Sequence, residues 1–327
     1  MGGAGGCGGG GLKRDERRLP TLLSRREPPR EPPEEEAGAC IGPECPFPER
    51  AEILQNYLRA QARYTPAPYA GSLQPHLSSR RRAMLVDWLV EVGDDRDLDE
   101  ETLHLSVALL DRFLATAEPV PLRRLQLIGT ACMHIAAKVE EVHPPAGAQL
   151  TRLCDGAYTL PEMLEAERDI LNTLQFRLNP PTPTRFLDHF LEVARGGGDA
   201  GCARDTADAR PVRDRAMFLL DRALLEYDVC VVDAGTLTAP ATRAAAAALA
   251  ALEGCQGRDA PDAPDALTAS RYRDRLAAAA GVPPSVLAEC RDRLVSAAET
   301  RVPVFGGVRL EGVSRKYGGV VGGEEGD

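Results

Sequence analysis

Histidine, cysteine and acidic side chains could do acid–base, nucleophilic or metal chemistry, but their spacing in this chain forms no catalytic or metal-binding motif. The five histidines are far apart: His76, His104, His134, His143 and His189. None belongs to a His-Glu-x-x-His motif or stands beside a Cys-x-x-Cys pair, the spacings with which zinc sites are built. The chain also lacks a Gly-x-Ser-x-Gly motif and a P-loop. We therefore expect no enzymatic activity, no metal ion and no cofactor.

The nine cysteines are expected to be reduced thiols in an intracellular protein. Cys132 and Cys154 lie in apolar stretches and no Cys-x-x-Cys pair occurs, which disfavours both disulfides and zinc. The first twelve residues are mostly glycine and contain no apolar signal-peptide core. No run approaches the roughly 18 apolar residues that a membrane-spanning helix needs. The expected protein is soluble and does not bind membranes.

The net charge of −10 argues against direct binding to nucleic acid, because such binding needs a basic face. Two clusters of basic residues nevertheless occur in this acidic chain. The first, at residues 13–18, is either a nuclear-import signal or a solvated charged run in a tail. The second, Arg80–Arg82, stands at the beginning of a predicted helix and is expected to be structural or to face a partner.

The segment Arg80–Val92 holds the only tryptophan of the chain. Its apolar residues cover most of a helix circumference, interrupted only by Asp87 and Glu91. A helix that is apolar nearly all round is buried, or it docks a partner on its outer face. Periodicity alone favours a core helix. The alternative is that Met84 and Trp88, one turn apart, stay partly exposed as a peptide-binding patch.

Helical periodicity predicts an all-α protein of two consecutive five-helix bundles, with a leading helix and disordered tails. Asp99 is a predicted N-cap, and Thr159 with Glu162 forms a predicted capping box. The proline-rich segment 179–183 separates the two bundles. The predicted domains are a disordered N-terminal tail at 1–45, a first bundle with its leading helix at 46–178, a second bundle at 179–300 and a C-terminal tail at 301–327. The helices with predicted bounds are 48–64, 79–92, 148–154, 212–226, 240–252, 267–280 and 284–299.

Five segments resemble, in order, the cyclin box of A- and B-type cyclins. They are Arg82–Leu89, Glu101–Leu105, Leu110–Leu114, Leu125–Ala131 and Ala137–Pro145. Thr159, Glu167 and residues 170–178 continue the resemblance. The short sequences Glu-Thr-Leu-His-Leu and Ile-Gly-Thr-Ala are closer to A-type than to B-type cyclins.

The resemblance implies that both bundles are cyclin-like and that the chain regulates a kinase. Its expected function is to bind and activate a cyclin-dependent protein serine/threonine kinase and to help recruit substrates in cell-cycle control and mitosis. The expected location is the nucleus and the cytoplasm. The alternative is a degenerate or transcription-type cyclin-fold scaffold that docks proteins without activating a kinase.

The resemblance also assigns roles to particular residues. Those expected to bind the kinase catalytic subunit are Lys138, Glu167, Ile53, Leu127, Ile135, Val139, Glu140, Glu141 and Phe176. Those expected to dock substrate or inhibitor peptides with a basic-x-apolar motif are Met84, Leu85, Trp88, Glu91 and Gln126. Arg82 and Asp111 are expected to pair internally as structural residues.

The chain departs from the family pattern at three points. Val139 stands where the family usually has an aromatic residue, which removes contact area from the expected kinase interface. Arg81 stands where the docking patch usually has an apolar residue. The N-terminal tail contains neither an Arg-x-x-Leu nor a Lys-Glu-Asn degradation signal, so the sequence does not indicate how the protein is removed.

Overall fold

The computed structural model describes residues 48–195, 210–232, 239–254, 266–299, 304–305 and 308–317. The predicted N-terminal tail and its basic cluster lie outside these ranges. In the first half the helices are α1 (Pro48–Ala60), α2 (Ser79–Asp95), α3 (Glu100–Leu114), α4 (Leu125–Glu140), α5 (Gly147–Arg152) and α6 (Leu160–Thr173). In the second half they are α7 (Pro183–Arg195), α8 (Arg210–Leu224), α9 (Pro240–Gly254), α10 (Ala266–Ala280), α11 (Pro284–Glu299) and α12 (Gly312–Lys316).

The all-α prediction is confirmed. The strands of the described residues are only β1 (Val304–Phe305) and β2 (Val308–Arg309), a short antiparallel pair ahead of α12. None of the helices in the described ranges combines the length and the apolar character that crossing a bilayer requires.

The first bundle is built around α4, which packs against α2, α3, α5 and α6. Small residues make this close packing possible. A Cβ added to Gly129 would lie 2.9 Å from Cδ1 of Leu85, so any larger residue there would force the Leu85 side chain to shift.

Side-chain caps fix the beginnings of the helices around α4. Asp99 accepts a hydrogen bond from the Glu101 amide at 2.8 Å, as predicted. Thr159 and Glu162 form the predicted capping box at the start of α6. Each cap satisfies backbone N–H groups that a helix end otherwise leaves unpaired.

The second bundle repeats this arrangement around α9, which packs against α7, α8, α10 and α11. Residues 241–251 of α9 are all buried, and eight of these eleven are alanine. Because alanine has almost no side-chain volume, four neighbouring helices can pack on α9 at short distance. The alanine-rich segment is therefore the centre of the second bundle.

Arg82 joins the two bundles from a fully buried position on α2. Its guanidinium contacts both carboxylate oxygens of Asp111 on α3 at 2.7 Å and donates a third hydrogen bond, also 2.7 Å, to the Leu224 carbonyl on α8. Tyr69 donates from its hydroxyl to the same Asp111 at 2.7 Å. The two predicted structural residues are thus paired in the structure, and their pair also holds the end of α8.

Residues 310–317 pack on the bundles, although the sequence analysis placed them in a C-terminal tail. Leu310, Val313 and Tyr317 are buried, and α12 contacts both α2 and α8. The segment is too short for its apolar spacing to stand out as a helical pattern. Its packing depends on α2 and α8, which are distant from it in the sequence and lie beside it in the fold.

Asp221 on α8 is the buried charge that holds this segment. It lies 2.9 Å from His104 Nε2, 2.8 Å from Lys316 Nζ and 2.9 Å from the Tyr317 hydroxyl. Burial opposes ionisation, but the hydrogen bond with His104 and the charge of Lys316 lower the pKa of Asp221 to about 2. Asp221 is therefore a carboxylate at every physiological pH.

We expect Asp221 to make the folded protein sensitive to acid. Because its folded pKa of about 2 lies below its usual 3.8, the stability it contributes is present above pH 4 and is lost as the pH falls toward 2. The loss should be on the order of 2 kcal/mol.

The check is urea unfolding between pH 5 and pH 2 for the wild type and Asp221→Asn. The difference in the free energy of unfolding between the two proteins should shrink as the pH falls. A constant difference would contradict the assignment of the lowered pKa to Asp221. Asp95→Asn, an exposed acid, is the control.

Candidate functional site

Lys138 and Glu167 meet where the last turn of α4 lies beside the middle of α6. The Lys138 ammonium donates to Glu167 Oε1, and His134 Nδ1 lies 2.7 Å from Glu167 Oε2. Glu167 is nine-tenths buried, whereas the Lys138 side chain is 41% exposed. The arrangement holds a carboxylate beneath the surface and presents an ammonium group above it.

Electrostatics keep Glu167 ionised. Burial alone would raise the pKa of Glu167, but the hydrogen bonds from Lys138 and His134 lower it below its usual range. His134 was not among the predicted site residues. Its position one turn before Lys138 on the same helix face was the signal that could have found it.

Exposed apolar side chains lie on the same two helices as this charged cluster and just after their ends. Val139 and Val142 follow Lys138 at the end of α4, and Val142 is 87% exposed. Leu164 lies one turn before Glu167 on α6, and Phe176 follows α6 with 65% of its surface exposed. Large apolar side chains gathered at one place on a surface mark an interaction site.

Leu127 and Ile135 do not belong to this exposed surface. They are 3% and 2% exposed and pack inside the first bundle, because α4 is surrounded by other helices. The expectation that they contact a partner is corrected: they support the surface from within. Ile53 of α1, in contrast, is exposed as a contact residue would be.

Glu140 and Glu141 are engaged inside the protein. Glu140 accepts a hydrogen bond from Arg185 Nη2 at 2.6 Å. Glu141 accepts from the Asp99 amide at 2.8 Å and from the Thr102 hydroxyl at 2.6 Å. Both glutamates therefore tie the end of α4 to its neighbours, whatever further contacts they make.

Arg185 connects α7 to three other helices and was missed in the sequence. It contacts Glu101 on α3 at 2.9 Å, Glu140 on α4 and the Tyr57 hydroxyl on α1 at 3.2 Å. Thr182 and Thr184 donate to the same Glu101. This network links Tyr57 of α1 to the end of α4 through Arg185.

The residues predicted for peptide docking lie on α2 and the first turn of α4. Met84 is 36% exposed and Trp88 is partly exposed, whereas Leu85 is buried against Gly129. Gln126 is partly exposed and lies one turn before Gly129, on the side of α4 that meets α2. One edge of α2 is therefore core, and the other edge, with Met84 and Trp88, is open to solvent.

Glu91, the predicted counter-charge of this surface, already has a basic partner. Arg315 of α12 donates to it from Nη1 at 3.1 Å. Asp87, one turn earlier, accepts from the Gly312 amide at 3.0 Å, and burial raises the pKa of Asp87 to about 6. The acidic edge of α2 is thus covered by the C-terminal segment.

Within the described residues, no three His, Cys, Asp or Glu side chains are grouped as a metal site would require. Cys132, Cys154, Cys230 and Cys290 are buried and form no disulfide. Burial raises the pKa of the Cys290 thiol to about 12, so it is uncharged and a poor nucleophile. The surfaces described above suit binding rather than covalent chemistry.

Comparison with known proteins shows which domain and which fold the chain resembles. Residues 52–179 match the cyclin N-terminal domain. G2/mitotic-specific cyclin-A of Hydra viridissima is 36% identical over 200 residues, which cover 61% of this chain and 45% of that protein. G2/mitotic-specific cyclin-2 of Medicago sativa is 39% identical over 191 residues, which cover 56% of this chain and 54% of that protein.

A solved structure extends the likeness to the second bundle. The viral cyclin of herpesvirus saimiri superposes with a TM-score of 0.57 over 75% of this chain and 97% of its own, at 22% identity, which shows a shared fold. The chain spans about half the length of the curated relatives it matches. A-type and B-type relatives match at similar identity, 36% and 35%, so the likeness is to both types together. Residues 52–179 therefore match a cyclin N-terminal domain, in a chain that shares the cyclin fold and is similar to A- and B-type mitotic cyclins.

Proposed function

We propose that this cyclin is the regulatory subunit of a cyclin-dependent protein kinase and activates it in cell-cycle control. The observation that carries the proposal is the Lys138–Glu167 pair, which is partly exposed and lies on two helices that also expose large apolar side chains. A positioned charge pair within an apolar surface is suited to binding a protein partner with a defined orientation.

The mechanism follows from the cyclin family. The chain packs on the αC helix of the kinase and turns it inward, so that the αC glutamate pairs with the lysine of strand β3 and the activation loop leaves the substrate site. The cyclin supplies no catalytic group. It stabilises the active kinase conformation by binding it more tightly than the inactive one.

A scaffold that binds a kinase without activating it is the second candidate. The observation that favours it is Val139, which is exposed beside Lys138 but offers less contact area than the aromatic residue usual in the family. Phosphate transfer by the catalytic subunit, measured with and without this chain, separates the two. Activation supports the first candidate, and binding without activation supports the second.

We further propose that Met84, Trp88 and Gln126 form a docking surface for basic-x-apolar peptides, with Leu85 beneath it and Glu91 as the counter-charge. Trp88→Ala should lower phosphorylation of substrates that carry the motif, because it removes a large, partly exposed aromatic side chain from this surface. A minimal peptide without the motif should be phosphorylated at an unchanged rate. Equal losses on both substrates would show that Trp88 serves only the core.

A further inference from the structure

The C-terminal segment 310–317 lies on the acidic edge of α2, beside the proposed docking surface. Its Gly312 amide and its Arg315 guanidinium contact Asp87 and Glu91, which are one turn apart on α2. Met84 and Trp88 stand at the helical spacings that put them next to these two acids. The segment therefore occupies the polar side of the surface that a basic-x-apolar peptide would use.

The contact is built into the fold. Leu310, Val313 and Tyr317 are buried, and Lys316 and Tyr317 both donate to Asp221 of α8. A Cβ added to Gly312 would lie 2.7 Å from the Asp87 carbonyl oxygen, so α12 can approach α2 this closely only with glycine there.

Arg315 is the loosely held part of this anchored segment. Its side chain is 63% exposed, its partner Glu91 is 39% exposed, and the 3.1 Å contact between them is open to solvent. An exposed ion pair of this kind contributes little free energy and is weakened by salt. Arg315 can therefore leave Glu91 while the buried residues around it stay in place.

We propose that Arg315 is an internal competitor for the docking surface, which holds Glu91 until the basic residue of an incoming peptide replaces it. The inference rests on the proposed docking function of α2. Its consequence is selectivity: only peptides with a basic residue able to displace Arg315 gain the full use of Glu91. The buried part of α12 keeps Arg315 close, so it returns to Glu91 when the peptide leaves.

The test is the affinity of a fluorescein-labelled synthetic peptide with an Arg-x-Leu core, measured by fluorescence anisotropy on the full chain. Arg315→Ala should bind the peptide about two- to five-fold more tightly, the range that an exposed ion pair supplies. The gain should disappear at high salt because screening already weakens the internal pair. Arg293→Ala is the matched control, since it removes the same charge from an exposed ion pair with Glu289 on α11.

A second comparison ties the effect to Glu91. In a Glu91→Gln background, Arg315→Ala should leave the affinity unchanged, because the two residues then no longer interact. The competition is refuted if Arg315→Ala and Arg293→Ala act equally, or if Arg315→Ala weakens binding. In either case the docking function survives if Trp88→Ala still abolishes binding. If neither the wild type nor Arg315→Ala binds the peptide, both proposals are overturned.

Discussion

The double variant Lys138→Ala, Glu167→Ala is expected to lose its kinase partner. Removing a charge-assisted contact within an interface costs about 2–5 kcal/mol, so the affinity should fall by about 30-fold to several thousand-fold. Substituting Glu167 alone would leave Lys138 without its carboxylate partner. Substituting Lys138 alone would leave the Glu167 carboxylate buried beside His134. The double change removes both charges together and tests the pair as a unit.

Two measurements distinguish lost binding from lost structure. Circular dichroism should show unchanged helicity, because both residues lie on helices and alanine is the best helix former. The control is Arg293→Ala, Glu289→Ala, an ion pair on α11 that should leave binding intact. If the Lys138→Ala, Glu167→Ala variant captures the catalytic subunit as well as the wild type does, these two residues do not lie in the interface.

Arg82→Ala is expected to produce the largest loss of stability of any single substitution considered. It leaves the Asp111 carboxylate buried with the Tyr69 hydroxyl, and it removes the partner of the Leu224 carbonyl. Breaking a buried ion pair by deleting one member costs about 3–5 kcal/mol. Because the contact spans α2, α3 and α8, both bundles should be destabilised together.

Urea unfolding of Arg82→Ala, followed by circular dichroism, measures this loss. Arg82→Lys keeps the charge but not the paired geometry, so it should recover only part of the stability. Arg293→Ala, an exposed arginine, should change the free energy of unfolding by less than about 0.5 kcal/mol. A loss of under about 1 kcal/mol for Arg82→Ala would mean that the junction between the bundles does not depend on it.

Local signals in the sequence were sufficient to predict most helices. Asp99 and Thr159 mark helix starts by their side-chain chemistry, and the prolines of 179–183 mark the boundary between the bundles. These features act over a few residues, so they can be read without knowing the fold. The alanine-rich α9 has no distinctive sequence motif. It is nevertheless the centre of the second bundle, because small side chains let its neighbours approach.

Contacts between distant residues could not be predicted from local patterns. Arg185 lies 84 residues from Glu101, and Arg315 lies 224 residues from Glu91. Nothing in the spacing of either pair indicates that they meet. The same limit explains Leu127 and Ile135: the family resemblance suggested contact residues, but only the packing around α4 shows that they are buried.

The most direct test of the account is phosphate transfer by purified cyclin-dependent kinase catalytic subunits, measured alone and with the full chain. The account predicts that at least one subunit binds the chain and phosphorylates its substrate faster in the complex. The Lys138→Ala, Glu167→Ala variant should abolish that gain at the concentrations where the wild type saturates, and the Arg293→Ala, Glu289→Ala control should retain it. A subunit that binds the wild-type chain without any gain in rate would contradict the activator proposal and identify the protein as a scaffold.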